Sequence, residues 1–392
     1  MAQNQTLRPP AGVCTTPAGG EGISQPRLDI GVAAYTFSYL CGYAGAGTPR
    51  AWPHPYNAYD LMDLAAAHGL AGVEFAPTSG LGSLDRVELE TARDYAAARG
   101  LFVVVDSGVV DVAKLQALLP AAATLGARTV RVTASTILCG DRRAVCDTWP
   151  GYLAEIARRL REVRASAEET GVAIALENHQ DLTSDELVAL CEEVGSPRIG
   201  VNLDAANPLA VGEEPLAFAR RVMPYLKNVH LKDYRLYRTP QGYRLARCPI
   251  GAGVLDVPVL LDLCGREAPG ATVCIELGAL EARHVRLLDD EFWQGYPPRR
   301  IEEVLPVLRL REELARPADE DWQTPWERGE HGEALASFEM SQFEQSVEYL
   351  HIARVAPSNP TERSAAPLRL LTDEERSDEV RLYHTGLSVL VD

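Results

Sequence analysis

Four short apolar segments of this chain each end in a side chain that can bind a metal ion. The segments read VAIALENH, IGVNLDAAN, LKNVHLKDY and TVCIELG, and they place Glu177, Asp204, His230 and Glu276 at the ends of predicted β-strands. Three carboxylates and one imidazole suit Mn²⁺, Mg²⁺, Co²⁺ or Zn²⁺ better than a metal that prefers thiolates. The pattern therefore predicts an enzyme that holds one divalent metal ion, with Mn²⁺ favoured.

A metal ion held by four such ligands keeps one or two positions open for substrate oxygens. It could polarise a carbonyl and stabilise an enediolate formed beside it, while a neighbouring carboxylate removes the proton next to that carbonyl. Because Glu177 and Glu276 lie on different strands, one could remove a proton and the other return it from the opposite face. These residues favour isomerisation or epimerisation of a sugar or polyol. No glycine-rich phosphate-binding motif is evident, which favours an unphosphorylated substrate.

Alternation of side chains along each segment indicates how the four ligands are positioned. Glu177 shares one strand face with Ala173 and Ala175, whereas the opposite face carries larger aliphatic side chains. The other three segments repeat this division into a small or polar face and an aliphatic face. Helices would cover the aliphatic face, so the ligands are predicted to point into the interior of a parallel barrel.

Strand and helix patterns alternate over residues 27–316 and define eight β–α units. Strands are predicted at 28–37, 71–77, 101–108 and 127–135, before the four that carry ligands. Helices are predicted at 57–68, 85–99, 112–125, 149–170, 183–194, 213–224, 256–265 and 299–315. The repeat predicts an α/β fold, a (β/α)₈ TIM barrel with its active site at the carboxyl ends of the strands. A doubly wound open sheet is the alternative, but no nucleotide-binding glycine motif follows the first strand.

Two appendages flank the predicted barrel. Residues 1–26 are rich in Pro, Gly, Thr and Gln and are expected to form a flexible N-terminal arm. Residues 317–392 form a C-terminal extension, in which Phe343, Val347 and Leu350 predict one helix followed by a linker. The apolar end of the chain could contact another subunit or form a short strand. The extension is therefore the expected site of a homo-oligomer or another protein complex.

Composition excludes several classes of partner. A net charge of −17 argues against nucleic acid, which requires a basic surface, and against an anionic membrane surface. No segment matches a signal peptide or a membrane span. The 8 cysteines include no Cys-x-x-Cys pair and indicate no disulfide scaffold. These features predict a cytoplasmic protein whose partner is a small molecule.

The motifs ALENH, NLDAAN, HLKD, CPIGAG and IELG resemble those of the xylose isomerase-like barrels, over roughly residues 28–316. This family includes sugar isomerases, ketose epimerases and inosose dehydratases. The resemblance implies that Glu177 and Glu276 are both metal ligands and acid–base catalysts, with Asp204 and His230 as the remaining ligands. Ketose epimerases carry a histidine three residues after the metal-binding aspartate, where this chain has Asn207. That difference argues against a free-ketose 3-epimerase.

Four further residues are expected to contact the substrate, namely His179, Lys232, Asn207 and Arg131. Arg131 could instead neutralise acidic side chains inside the barrel, and Glu74 and Asp106 at other strand ends could support the site from behind. The segment 234–247 is interpreted as a long loop rich in Tyr and Arg. It either covers a larger or charged substrate or forms a solvated face.

Two other functions stay open at this stage. A lyase, such as a dehydratase or β-eliminase acting on a keto-sugar, inosose or 3-keto-glycoside, would use the same metal and base. It would differ in expelling a leaving group from the enediolate. A barrel retained as a sugar-binding or scaffold subunit is the non-enzymatic alternative, although retention of all four ligands argues against it.

Overall fold

A closed barrel of eight parallel strands forms the centre of the computed structural model, which describes residues 28–355. The described residues contain eleven strands, eight in the barrel and three (β8, β9 and β11) in a separate small sheet. They are β1 Ile30–Ala33, β2 Gly72–Phe75, β3 Phe102–Val109, β4 Thr129–Thr133, β5 Ala173–Glu177, β6 Ile199–Asp204, β7 Leu226–Leu231, β8 Tyr234–Thr239, β9 Gly242–Arg247, β10 Thr272–Ile275 and β11 Arg283–Val285. Around the barrel they follow the order β1, β2, β3, β4, β5, β6, β7 and β10, which closes on β1. The predicted (β/α)₈ barrel is confirmed.

Helices alternate with these strands as the periodicity predicts. They are α1 Ala58–Ala67, α2 Pro77–Gly80, α3 Arg86–Ala98, α4 Val112–Thr124, α5 Trp149–Thr170, α6 Ser184–Val194, α7 Pro215–Val222, α8 Val257–Glu267, α9 Ile301–Leu314 and α10 Glu333–Val355. Local sequence sets many of their ends. At α6, for example, the Thr183 hydroxyl accepts from the Glu186 amide, and the Glu186 carboxylate accepts from the Thr183 amide.

Strand register brings the metal-binding residue types to one end of the barrel. Asp204 on β6 lies directly beside His230 on β7, and Cys274 on β10 lies beside His230 from the other side. Aliphatic side chains such as Ile174 and Val201 face outward into the main hydrophobic core beneath the helices. Because all eight strands are parallel, their carboxyl ends meet at the same opening.

The segment after β7 forms a β-hairpin where the sequence predicts a loop. Strands β8 and β9 pair antiparallel, and β11 pairs with β9 to complete a small three-stranded sheet. Leu236, Tyr243 and Leu245 are buried in a second hydrophobic cluster below this sheet. The expectation of a solvated arginine face is wrong at Arg247, which is buried and donates to the Gly278 carbonyl at 2.9 Å. Alternating Tyr, Leu and Arg in short strands resembles a loop locally, and the pairing becomes visible only in three dimensions.

Helix α10 packs into the main barrel core. Phe343, Val347 and Leu350 lie in that core, as their helical spacing suggests. Glu339 on α10 accepts hydrogen bonds from the Tyr39 and Leu40 backbone amides at 2.9 and 3.0 Å, just after β1. Helix α9 instead contributes to the hydrophobic cluster beneath the hairpin.

Both predicted appendages extend beyond the described part of the chain. The expected N-terminal arm and the apolar C-terminal stretch lie outside residues 28–355. Within that range, every helix is too short or too polar to cross a membrane.

Candidate metal centre and active site

The four predicted ligands converge at the carboxyl end of the barrel. One ligand atom from each of Glu177, Asp204 and His230 lies within 4.8 Å of the others. Glu276, the residue after β10, places Oε2 3.4 Å from His230 Nδ1, and Glu177 Oε2 lies 3.9 Å from the same nitrogen. All four side chains are buried. The four side chains that strand alternation predicts to point into the barrel therefore lie close together at its carboxyl end.

Glu74 orients the imidazole of His230 from behind. His230 Nε2 lies 2.9 Å from both carboxylate oxygens of Glu74. Nδ1 lies 3.2 Å from Asn202 Nδ2 and also faces Glu177 and Glu276. Burial alone would lower the pKa of His230, but Glu74 and Glu276 hold it well above the usual histidine range. A metal ion bound at Nδ1 would replace the proton there. Carboxylates commonly orient metal-binding histidines in this way.

Asp204 is held rigidly by the two asparagines near it. Asn178 Oδ1 accepts from the Asp204 amide at 2.7 Å, and Asn178 Nδ2 donates to the Asp204 carbonyl at 3.0 Å. Asn207 Nδ2 donates to Asp204 Oδ2 at 2.5 Å, which makes Asn207 a support of the carboxylate. Asp204 Oδ1 is buried and accepts no hydrogen bond among the described residues.

Lys232 bridges two of the four predicted ligands. Its ammonium donates to Asp204 Oδ2 at 2.6 Å and lies 2.7 Å from Glu276 Oε2. Burial alone would lower the pKa of Lys232, but these carboxylates hold it well above the usual lysine range. The same ammonium, with His230, holds the pKa of Glu276 well below its usual range although burial opposes this shift. Lys232 and Glu276 therefore face the site as a charged pair.

Arg131 forms a second charged cluster on the other side of the site. Its guanidinium lies 3.1 Å from Glu177, 2.9 Å from Asp106 and 3.5 Å from Glu74. With His179 and His230 it lowers the pKa of Glu177, whereas burial raises the pKa of Asp106 to about 7 despite Arg131. Arg131 thus neutralises interior acids, the second of its two predicted roles, while also lining the cavity described next.

A cavity of about 740 Å³ opens above the four residues. Its wall includes Glu177, Glu276, Arg131 and the remaining predicted substrate-contacting residues His179, Lys232 and Asn207. His179 Nδ1 is buried without a hydrogen-bond partner among the described residues. Burial lowers the pKa of His179, so it offers a neutral imidazole to a ligand. The cavity is therefore wide enough for a small molecule and carries polar groups at its base.

Two wall residues were missed by sequence reasoning. Tyr234 OH donates to Asn207 Oδ1 at 3.0 Å, and Gln180 Nε2 approaches the same oxygen at 3.3 Å. Gln180 has a left-handed backbone with a φ of 74°, which a non-glycine residue seldom adopts. No local pattern signals Gln180, whereas Tyr234 was included only among the aromatic residues of the expected loop. Together they support Asn207 and, through it, Asp204.

Asp233 explains why HLKD and CPIGAG occur together. Its buried carboxylate accepts from the backbone amides of Tyr234, Gly251, Gly253 and Leu255 at 2.9 to 3.2 Å. These bonds fasten the loop before α8 to the end of β7. They hold in place the strand end that carries Lys232.

The donor set of this site fits a divalent metal ion. Asp204 Oδ1 is buried and accepts no hydrogen bond among the described residues, whereas Glu177 Oε2 is buried in an ion pair with Arg131, at 3.1 Å. His230 Nδ1 faces the same space, and Glu276 Oε2 lies beside it. Oxygen ligands with one imidazole suit Mg²⁺, Mn²⁺ or Zn²⁺. Unpaired buried carboxylate oxygens are costly unless a cation or a ligand satisfies them.

Sequence comparison assigns the chain to a family. The family profile described as xylose isomerase-like TIM barrel matches residues 62–286, more than half of the chain. The protein belongs to this family, as the motifs suggested.

Individual relatives show what this chain is similar to. The uncharacterized protein YihM of Escherichia coli K12 is 29% identical over 54% of this chain and 65% of its own length, slightly less than two thirds. A 3-oxo-isoapionate decarboxylase of Pectobacterium atrosepticum is 22% identical over 59% of this chain and 79% of its own. A 2-epi-5-epi-valiolone 7-phosphate 2-epimerase of Actinoplanes is 32% identical over 35% of this chain and 48% of its own length. Among solved structures, D-psicose 3-epimerase of Clostridium cellulolyticum H10 matches 73% of this chain and 99% of its own, at 14% identity and a TM-score of 0.48.

Proposed function

We propose that this protein is a divalent-metal-dependent isomerase or epimerase of a sugar or polyol, with Mn²⁺ as the expected ion. The observation that carries the proposal is the pair of carboxylates, Glu177 and Glu276, that approach one nitrogen of His230 from separate strands, at 3.9 and 3.4 Å. A substrate above them would have a proton acceptor on each side. Such an arrangement suits removal of a proton and its return to a different face or atom.

The charges around the two carboxylates support this role. Arg131 holds Glu177 ionised and Lys232 holds Glu276 ionised, so either can accept a proton at neutral pH. Glu177 would remove the proton next to the substrate carbonyl. Glu276 would first take a proton from the Lys232 ammonium and then deliver it to the opposite face or to the neighbouring carbon; exchange with water would restore both groups. The Lys232 ammonium, 2.7 Å from Glu276, supplies a proton donor beside that carboxylate.

The four residues at the strand ends would hold the metal ion, which when bound supplies a Lewis acid that polarises the carbonyl and stabilises the enediolate charge. His179 and Asn207 line the cavity above them and would bind substrate hydroxyl groups. Asn207 also fixes Asp204, so its side chain orients a ligand and meets the substrate at the same time.

A lyase reaction is the second candidate, favoured by one specific observation. The relative from Pectobacterium atrosepticum is named a decarboxylase, and its match covers 79% of its length. Elimination of hydroxide would begin with removal of a proton by the same base. Decarboxylation would instead release CO₂ from a carboxylate next to the carbon beside the keto group, and the electron pair of the broken bond would form the enediolate that the same metal ligands would help to stabilise. The isomerase and lyase reactions therefore share an enediolate and differ in their product.

The test combines metal analysis with proton exchange. Purified protein should contain about one Mn, Mg, Co or Zn per chain, and Glu177→Gln and Asp204→Asn should lose it, because each removes a ligand charge. Glu193→Gln and Asp185→Asn are the controls. Each removes one carboxylate of an exposed ion pair, so both variants should keep the metal. Incubation with keto-sugars in D₂O should place deuterium next to the carbonyl.

The products then separate the candidates. A new sugar stereoisomer or an aldose supports the isomerase or epimerase, whereas an unsaturated, ultraviolet-absorbing product or released CO₂ supports the lyase. Absence of metal, together with no gain in thermal stability on adding these ions, would contradict both and favour a binding subunit.

A further inference from the structure

Arg283 lines the active-site cavity with an unpaired positive charge. It is half-buried on β11, and its side chain forms no hydrogen bond or ion pair with any of the residues in 28–355. Arg131, the other arginine of the cavity wall, differs because Glu74, Asp106 and Glu177 surround it. A guanidinium carries five donors and stays charged at all physiological pH values. The charge of Arg131 is satisfied inside the protein, and that of Arg283 is not.

Arg283 shares the cavity wall with residues that support the predicted metal ligands. Burial raises the pKa of the Tyr234 phenol, and the nearby charges of Lys232 and Arg283 partly offset that shift. Tyr234 in turn donates to Asn207, which donates to Asp204. Arg283 and Tyr234 both line the cavity that Glu177 and Glu276 also line.

Charge and volume restrict what Arg283 can bind. The chain as a whole carries −17, so an anionic substrate would be repelled unless local cations attract it. A volume of about 740 Å³ leaves room for a substituent beyond a single sugar ring. Lys114 also lines the cavity without an ion pair among the described residues, but it is exposed and water can solvate it. The half-buried Arg283 has the greater need of an anionic partner.

We infer that Arg283 binds a carboxylate or phosphate group carried by the substrate, away from the carbon that exchanges its proton. The substrate class is then an anionic keto-sugar or keto-polyol, an assignment that rests on the proposed function for the keto group. The planar guanidinium would hold either oxyanion through two parallel hydrogen bonds.

The test compares neutral and anionic ketoses on the Mn²⁺-loaded full chain. Isothermal titration would measure Kd for D-fructose, D-fructose 6-phosphate and D-fructuronate with the unaltered protein and with Arg283→Gln and Arg286→Gln. Arg286 is a matched control, because it is also half-buried, lies three residues along the chain and lines a separate small pocket.

At least one anionic ketose should bind about tenfold more tightly than D-fructose, since a charged hydrogen-bonded pair is worth about 1.4 kcal/mol or more. Arg283→Gln should remove that advantage and leave the Kd for D-fructose within about twofold of its value in the unaltered protein. Arg286→Gln should change none of the three Kd values. Tighter binding of the phosphate or of the uronate identifies which oxyanion is recognised.

Equal binding of neutral and anionic ketoses, no binding of either anion, or an advantage that survives Arg283→Gln would overturn the inference. Failure of the proposed function gives a different result. Anion selectivity that depends on Arg283, without deuterium exchange next to the carbonyl, would leave this site standing and reject the reaction.

Discussion

At the residue scale, the imidazole of His230 is governed by a carboxylate on the far side of the barrel. Glu74 comes from β2, and both of its oxygens lie 2.9 Å from His230 Nε2. Asn228 Nδ2 donates to Glu74 Oε2 at 3.0 Å and fixes the carboxylate in turn. This chain of contacts keeps Nδ1 directed at the space between the two glutamates.

Replacing Glu74 should therefore weaken metal binding without removing a ligand. We expect Glu74→Gln to lower Mn²⁺ affinity about 10- to 100-fold, because the imidazole loses its negatively charged partner. Calorimetric titration of Mn²⁺ into metal-stripped protein measures the change. Glu90→Gln, which alters only an exposed pair with Arg86, is the control. An unchanged affinity in Glu74→Gln would mean that the contact is purely structural.

At the element scale, the loop between β9 and α8 depends on two glycines that approach other groups closely. A Cβ added to Gly253 would lie 2.2 Å from Asp233 Oδ1, at the carboxylate that accepts four backbone amides. A Cβ added to Gly251 would lie 2.4 Å from the Tyr349 ring on α10. The CPIGAG motif is thus explained by packing rather than by ligand binding.

Gly253→Ala should destabilise the fold by about 1–3 kcal/mol, because the added methyl group displaces a buried carboxylate from its hydrogen bonds. Urea unfolding followed by circular dichroism measures this free energy. Gly270→Ala is the matched control, since a Cβ there would meet no atom within 4 Å. Equal stability of the two variants would contradict the role assigned to Asp233.

At the scale of the whole molecule, α10 joins the end of the described chain to its beginning. Phe343 is fully buried, and its ring lies 5.0 Å from that of Phe37 beside β1. Arg247 of the hairpin donates to Gln342 at 2.7 Å, and Glu339 accepts from the backbone after β1. This helix therefore links the hairpin, the first strand and the barrel core. The predicted oligomer contact through the chain end beyond it stays a prediction.

Truncating Phe343 tests whether α10 is part of the cooperative barrel. Phe343→Ala should cost about 3–5 kcal/mol of unfolding free energy, because it opens a cavity in the main core. Ile352→Ala, on an exposed face of the same helix, should change stability by less than about 0.5 kcal/mol. A small effect at both positions would show that the helix is only loosely attached. Chemical denaturation of the full chain measures both variants.

The sequence by itself determined the barrel and the face on which the four predicted ligands lie. Apolar alternation and helix periodicity are properties of neighbouring residues, so they can be read along the chain. Glu177, Asp204 and His230 occupy equivalent alternating positions on their strands. Because the strands are parallel, this alternation alone predicts that the three side chains lie at the same opening of the barrel. The capping box that Thr183 forms with Glu186 is equally local.

Only the tertiary structure decided which charges pair and what surrounds the site. Glu74 and His230 are 156 positions apart, and no local pattern joins them. Lys232 was expected to bind substrate, yet its ammonium also bridges Asp204 and Glu276. The β8–β9 hairpin and the unpaired Arg283 likewise depend on how distant segments meet. Closing the barrel brings these groups together, and that closure depends on packing over the whole chain rather than on any single segment.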